Sequence, residues 1–438
     1  MGKRKSAAIT VGREPAPTLA SAPASGPAQI RPPWLKPVGY SLMFLLALIA
    51  GLFFGRALPR TAPVMDTASH ALRTAKLLKP GPWGNLEFTP ITIAAPDEIL
   101  PVRALETQGT HWRFDNVSRE QVVELFGKLD LPATLRDRLL SPAMLHPLTN
   151  GFVITPTPDA VFALPPSARL ALYQVLGRFP NNIRDAYCLS VKSFEKQFQS
   201  SGLPAETVER FRKLAAPYGN YLFFVDLPAM FTTMTNYNDK ARLLKALTRH
   251  DTMLLRLRVM PDSDINALNT YWGKACWNTD VRALLDSLQR VPGGASLDII
   301  ELLPPLPTSL LYTFPVPQNP YNGPVATRDC HWTSFNFFRE PADDHYGEPE
   351  YAVEHLKVDY FPVASDPRFG DIVLFTVPNG NAIHSAVYIA DDVVYTKNGN
   401  SPLYPWVFAT VSDLLDLYSF HVQAGEKLGV KYFRNKYY

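Results

Sequence analysis

The chain has 438 residues, of which 46 % are apolar and 19 % are charged. This composition supports a hydrophobic core and about two to three domains, and it excludes a wholly disordered chain. The 43 basic and 40 acidic side chains nearly balance, so the sequence offers no basic face for a nucleic-acid partner. The 41 prolines predict many short elements joined by stiff loops.

The first 55 residues predict a tail followed by a membrane anchor. Residues 1–37 are rich in Ala, Pro and Ser and cannot bury a core, so we predict a disordered cytoplasmic tail. Residues 38–55 form an uncharged apolar run at the lower length limit for a transmembrane helix. A signal peptide is the alternative, although no small-residue cleavage site follows the run. The basic residues ahead of it predict a single-pass inner-membrane protein whose C-terminal domains are periplasmic or extracellular.

Residues 58–301 predict a mixed, mainly helical domain, and nothing in their sequence indicates a function. Ser118 and Gln121 form a capping-box pattern ahead of an amphipathic helix. Strands are predicted at 83–95 and 254–260, and two short strands within 151–164. Helical periodicity recurs at 167–178, 205–215, 238–249, 264–272 and 280–290. The proline-rich residues 302–320 predict an extended linker to a last domain.

The three cysteines, Cys188, Cys276 and Cys330, form no Cys-x-x-Cys pair, so the sequence predicts no zinc site. No metal or cofactor is predicted elsewhere either. In an oxidising compartment Cys188 and Cys276 would pair and leave Cys330 free. The alternative is three unrelated thiols, of which the first two are small buried hydrophobes.

Three short motifs near the C-terminus carry the chemical information. Asp329-Cys330 leads into an aromatic-rich helix, Gly370-Asp371 precedes an apolar strand, and His384 opens the next strand. Asp329 is a good N-cap residue, which places Cys330 in the first helical turn. The free N–H groups and partial positive charge of a helix N-terminus favour a thiolate, so we expect a lowered pKa for Cys330.

The residues around His384 predict an antiparallel meander with strands at 372–376, 386–389 and 393–396. His384 would share a face with Ala386 and Tyr388 and could face a helix packed across this sheet. His331 is a poorer base for Cys330, because adjacent helical side chains diverge by about 100°.

These motifs resemble the NlpC/P60 family of papain-like cysteine peptidases, over residues 321–438. Members carry a Tyr shortly before an Asp-Cys-Ser-Gly-type motif, and here that Tyr is Tyr321. The resemblance implies a papain-like domain with the Cys330 helix packed on an antiparallel sheet. Cys330 would be the nucleophile and His384 the base. Tyr321, Asp329 and Trp332 would border the substrate.

The third catalytic group of the family lies on the strand after the histidine. Gapless matching places Thr396 there, and Asn398, two residues on and on the same face, is an equal candidate. Thr396 would orient an imidazole less firmly because it carries no charge. Lys397 between them should point the opposite way, toward solvent. The family's Ser-Gly is replaced by His331-Trp332, a bulkier pair that narrows the predicted cleft.

The sequence therefore predicts an α+β protein with a transmembrane helix, a mainly helical middle domain and a papain-like C-terminal domain. Its expected function is a membrane-anchored cysteine hydrolase acting on amide bonds, with peptidoglycan-type peptides as the substrate class that the resemblance implies. One alternative is a catalytically inactive binding or scaffold protein of the cell envelope. Another is a related thiol chemistry, such as acyl transfer to a different envelope substrate.

Overall fold

The computed structural model describes residues 75–179, 181–182, 187–273, 281–315, 328–423 and 425–437. They belong to a compact unit that runs from Ala68 to Tyr438. The strands are β1 Lys76–Leu77, β2 Asn85–Ile93, β3 Trp112–Asp115, β4 Leu145–Leu148, β5 Gly151–Ile154, β6 Tyr187–Ser190, β7 Ala216–Tyr218, β8 Tyr221–Phe224, β9 His250–Val259, β10 Ala295–Asp298, β11 Tyr360–Val363, β12 Ile372–Thr376, β13 Ala382–Ala390, β14 Val393–Lys397, β15 Trp406–Thr410 and β16 Gly429–Asn435.

Helices surround these strands. The α-helices are α1 Val102–Thr107, α2 Arg119–Gly127, α3 Ala133–Leu139, α4 Pro158–Phe162, α5 Pro166–Leu176, α6 Val191–Gln199, α7 Ala205–Leu214, α8 Leu227–Thr232, α9 Tyr237–Leu247, α10 Ile265–Trp272, α11 Val281–Gln289, α12 Pro305–Leu310, α13 Cys330–Phe335, α14 Pro349–Asp359 and α15 Val411–Tyr418. Short 3-10 helices lie at Asp97–Ile99, Ile299–Leu302, Asp344–Gly347 and Ser419–His421.

The C-terminal sheet is antiparallel, with the order β11-β16-β12-β13-β14-β15. Its pairings include Val373 with Ala386 and Val387 with Tyr395. Because side chains alternate along a strand, Val387 and Tyr395 face the core that contains α13, while Ala386 packs toward α15. Helices thus cover both faces of this sheet, which explains why its central strands are continuous apolar runs.

A second antiparallel sheet, in the order β1-β2-β9-β10, forms the other half of the same core. Its long strands pair Leu86 with Leu257. Thr252 Oγ1 in β9 donates to the Phe408 carbonyl in the C-terminal sheet at 2.7 Å. Tyr312, whose N–H donates to the Trp406 carbonyl of that sheet, donates through Oη to the Met253 carbonyl in β9 at 2.5 Å. The main core therefore crosses the predicted boundary between the middle and C-terminal regions.

Two small three-stranded sheets complete the middle region. The first has the order β3-β5-β4 and the second β6-β8-β7, and each lies beside its own apolar cluster. The capping box at Ser118 is confirmed: its hydroxyl accepts from the Gln121 N–H, and the Gln121 side chain accepts from the Ser118 N–H. Of the two strands predicted within 151–164, only β5 forms, since the second segment is the short helix α4.

The predicted fold class is wrong as a whole, although the described residues are α+β with antiparallel sheets. Within the described ranges no helix is both long and apolar enough to cross a membrane. The described part of the middle region contains more helical than strand residues, and three antiparallel sheets connect its segments. The tail at 1–37 and the anchor at 38–55 lie outside the described residues.

The segment predicted as an extended linker at 302–320 is partly helical where it is described. It contains the end of a 3-10 helix and all of α12, and Leu311 forms a bridge with Trp406. Leu302 and Leu311 are buried in the main core, so packing outweighs the extended preference of a proline-rich segment. Residues 316–320 lie outside the described part.

Candidate active site

Cys330 is the first residue of α13, as its sequence context predicts. The Asp329 carboxylate caps this helix by accepting from the Trp332 N–H at 2.9 Å. The helix lies against β13, where the Ser334 hydroxyl donates to the Ser385 hydroxyl at 3.0 Å. The thiol of Cys330 is buried at this contact, with 6 % of the residue exposed.

The prediction of a lowered thiol pKa is wrong. Burial raises the pKa of Cys330 to about 12, and the negative charge of Asp329 adds to the rise. The Ser385 N–H and hydroxyl and the His331 N–H oppose it only in part. The loss of hydration thus raises the thiol pKa more than the N-terminus of this helix of 6 residues lowers it. The resting thiol is therefore protonated at neutral pH.

His384 lies in β13 on the face opposite to Ser385, and it faces α15 rather than α13. Its ring stacks on Tyr418 at 4.4 Å between centroids. Its Nε2 forms a hydrogen bond with Thr396 Oγ1 at 2.9 Å. Its Nδ1 is buried and has no partner among the described residues. Burial, with a smaller contribution from His331, holds the pKa of His384 well below its usual value, so the resting imidazole is neutral.

The thiol and the imidazole share neighbouring residues without being bonded to each other. The thiol lies near Ser385, which follows His384 in β13, and its charge would raise the pKa of Tyr418, which stacks on His384. No hydrogen bond between Cys330 and His384 is present among those of the described residues. At rest the thiol and the imidazole are therefore both neutral.

Of the two candidates for the third position, Thr396 contacts His384 and Asn398 does not. Asn398 follows the end of β14, and its Oδ1 is buried without a partner among the described residues. The expectation of a solvated Lys397 is wrong, because both faces of β14 are covered. Lys397 is buried and donates to the Gly399 carbonyl at 2.7 Å and the Ser401 carbonyl at 3.0 Å, and burial lowers its pKa to about 8.

The three residues predicted to border the substrate do not form a common surface among the described residues. Trp332 has 1 % of its surface exposed, and its indole N–H donates to Asp344 at 2.9 Å, so it offers no surface to a substrate. Asp329 is half-buried and acts as the helix cap. Tyr321 lies outside the described residues.

The Gly-Asp motif stabilises the sheet. Gly370 has a φ of +89°, and a Cβ there would lie 2.3 Å from the Phe338 ring, so glycine is required by both conformation and space. Asp371 is buried and accepts from Arg434 Nε at 2.9 Å and from its terminal nitrogen at 2.7 Å. This paired contact joins the start of β12 to β16.

The sequence-based interpretation missed Ser385 and Tyr418. Ser385 accepts from Ser334 and forms a hydrogen bond with His331 Nδ1 at 3.0 Å, so it connects β13 to α13. A polar residue in an otherwise apolar strand was the available signal for Ser385. Tyr418 carries no comparable signal, because its position beside His384 depends on how α15 packs on the sheet.

The histidine and acidic side chains within residues 343–359 form local pairs. Among the described residues, no three His, Cys, Asp or Glu side chains are placed to hold a metal ion. His345 pairs with Asp343, and His355 with Asp359. Cys188 and Cys330 are free thiols, so Cys188 does not form the pairing considered above, and Cys276 lies outside the described part.

Comparison with known proteins found no matching family model, no similar curated protein and no similar solved structure. The resemblance to NlpC/P60 peptidases therefore stays a prediction that depends on the motifs alone.

Proposed function

We propose that this chain is a cysteine hydrolase that cleaves amide bonds, with Cys330 as nucleophile and His384 as base. The observation that carries the proposal is the state of His384: Thr396 holds Nε2, while Nδ1 is buried with no partner among the described residues. An unsatisfied buried polar atom costs about 1–3 kcal/mol, and a catalytic role is one of the reasons for which proteins retain such atoms.

The proposed reaction uses the thiol and the free ring nitrogen. As Cys330 Sγ attacks the carbonyl carbon, its proton passes to His384 Nδ1 and a carbon–sulfur bond forms. The carbon–nitrogen bond then breaks, and His384 returns the proton to the departing amine. Water hydrolyses the resulting thioester and restores the thiol. Peptidoglycan stem and cross-bridge peptides are the first substrates to try, because the resemblance implies them.

Because the Cys330 thiol and the His384 imidazole are both neutral at rest, the proposed mechanism requires them to come closer together when substrate binds. A thiol with a pKa of about 12 does not ionise beside an imidazole of lowered pKa, so proton transfer must accompany the attack. Hydrogen bonds of catalytic pairs are often long in the absence of substrate and shorten in the complex.

A catalytically inactive binding or scaffold protein of the cell envelope is the second candidate. Two observations favour it: the raised pKa of Cys330, and the lack of a hydrogen bond between the thiol and His384. Under this proposal the C-terminal region retains the arrangement of a thiol enzyme but serves as a binding surface.

Thiol alkylation distinguishes the two candidates, and Cys188 supplies an internal control. Burial raises the pKa of Cys188 to about 12 as well, and no histidine contributes to that rise. With iodoacetamide near neutral pH and peptide mapping of the full chain, we expect Cys330 to react at least about tenfold faster than Cys188, because general-base assistance typically contributes that much or more. Substitution His384→Gln should abolish the difference.

Variants of Thr396 test how the imidazole is held. Thr396→Val removes the hydroxyl at nearly constant volume and should slow Cys330 alkylation, whereas Thr396→Ser should retain most of the rate. Equal rates for Cys330 and Cys188, unaffected by His384→Gln, would reject the hydrolase and support the inactive binding protein.

A further inference from the structure

A cavity of about 590 Å³ is lined by residues of the two small sheets, and neither Cys330 nor His384 is part of its wall. Its size is within the range of small-molecule sites, which is about 300–1,000 Å³. Aromatic side chains from five elements form much of its wall: Trp112, Tyr173, Tyr218, Phe223 and Phe420. This lining favours a ligand with a flat ring, because aromatic faces supply large contact areas and stacking geometry.

The charges in the cavity wall cancel. Arg169 and Asp226 both line the cavity, are almost fully buried and form an ion pair, and the Tyr173 hydroxyl also donates to Asp226. Arg169 donates further to the Val161 carbonyl at 2.9 Å and the Leu164 carbonyl at 3.1 Å. Because Arg169 is already neutralised, a charged ligand would lose its hydration without gaining a free countercharge.

Two buried N–H donors in this wall lack partners. Trp112 Nε1 and Arg169 Nε make no hydrogen bond among the described residues, and the two residues are only 2 % and 1 % exposed. The Trp112 indole is close enough to the Tyr173 oxygen to oppose slightly the rise in the pKa of Tyr173, but the two do not meet hydrogen-bond geometry. An acceptor oxygen on a ligand would satisfy such donors.

We propose that this cavity is a binding site for an uncharged, ring-bearing molecule that carries a hydrogen-bond acceptor such as a carbonyl oxygen. The aromatic side chains of the wall favour a ligand with a ring, and the neutralised Arg169–Asp226 pair disfavours a ligand with a net charge. The N–H groups of Trp112 and Arg169 favour a ligand with an acceptor oxygen. Cys330 and His384 do not line this cavity, and the proposal does not depend on hydrolase activity.

The probe for this site is 7-diethylamino-4-methylcoumarin, an uncharged fluorescent ring system with a carbonyl oxygen. Titrated with the full chain, it should show saturable binding with a blue-shifted emission. The coumarin ring bearing a 3-carboxylate should bind at least about tenfold more weakly, which corresponds to 1.4 kcal/mol. Equal binding of the two probes would overturn the proposal, as would the absence of saturable binding.

Two neighbouring positions in β7 supply a matched pair of variants. Ala216 is buried and lines the cavity, whereas Pro217 points to the opposite side of the strand and is exposed. Ala216→Trp should fill the cavity and weaken coumarin binding at least about tenfold, while Pro217→Trp should leave it unchanged. Circular dichroism verifies that both variants fold.

Substitution Trp112→Phe keeps an aromatic ring but removes the N–H. It should weaken coumarin binding about three- to tenfold, the equivalent of one neutral hydrogen bond. If Ala216→Trp does not fold, this variant decides the question. Unchanged affinity in Trp112→Phe would show that the probe binds elsewhere or without the proposed hydrogen bond.

Discussion

Substitution Arg169→Leu is expected to lower the free energy of unfolding by about 3–5 kcal/mol, because it leaves Asp226 as a buried charge without a countercharge. The two side chains are only 2 % and 1 % exposed. Burial already raises the pKa of Asp226, and Arg169 is what opposes that rise. The variant also removes the donors to the carbonyl of Val161 in α4 and to that of Leu164, which lies between α4 and α5. Guanidinium denaturation near neutral pH measures the loss.

The exposed pair of Arg138 and Asp159 is the control for this prediction. Their side chains are 44 % and 65 % exposed, so Arg138→Leu should change the unfolding free energy by about 1 kcal/mol or less. The double variant Arg169→Leu with Asp226→Leu should recover much of the stability lost in the single variant, since no charge then remains buried. An Arg169→Leu protein as stable as the Arg138→Leu protein would contradict a desolvated ion pair.

Acidification is the second large effect: the free energy of unfolding should fall as the pH drops below about 6.5. The folded pKa of His384 lies well below its unfolded value, so in this range the unfolded chain binds a proton that the folded chain excludes. Stability from this group is complete above the unfolded pKa and decreases as the pH falls toward the folded pKa. By about pH 5 the loss from His384 alone reaches about 2 kcal/mol, at 1.36 kcal/mol per pH unit.

His250 acts in the same direction, since burial lowers its pKa to about 4. The measurement is the pH dependence of guanidinium unfolding between about pH 7 and 5 for the parent chain and for His384→Gln. The variant should show a smaller slope, by about one proton. His345→Gln is the control: that side chain is exposed and its pKa is raised by Asp343, so its removal should not reduce the slope. An unchanged slope in His384→Gln would show that His384 is not buried and neutral.

Local sequence patterns predicted the positions of several secondary-structure elements around the candidate site. The cap at Asp329 and the helix at Cys330 depend on residues within a few positions of each other, and they lie where the sequence placed them. The strand that contains His384 forms too, but it begins at Ala382, two residues before His384 and four before the predicted start at 386. Thr396 was one of two candidates, and the pairing of β13 with β14 is what brings it to His384. Such neighbours can be predicted once strand boundaries are known.

The properties that depend on distant packing were not predictable in this way. The pKa of Cys330 is raised because α13 is buried between sheets, and the sequence of α13 alone indicates only a helix N-terminus. Arg169 and Asp226 are separated by 57 positions, and no motif connects them. The long pairing of β2 with β9 likewise brings together segments from opposite ends of the middle region.

The shared core has a consequence for how this molecule could be divided. Leu257 and Trp332 belong to one apolar cluster, and the Tyr271 hydroxyl donates to the Ile389 carbonyl at 2.7 Å across the same contact. A fragment beginning near residue 321 would expose this cluster and leave the carbonyl of Ile389 without its donor. The C-terminal sheet is therefore not a domain that folds on its own. Any fusion protein or truncated form that is to fold cooperatively must also include β2 and β9.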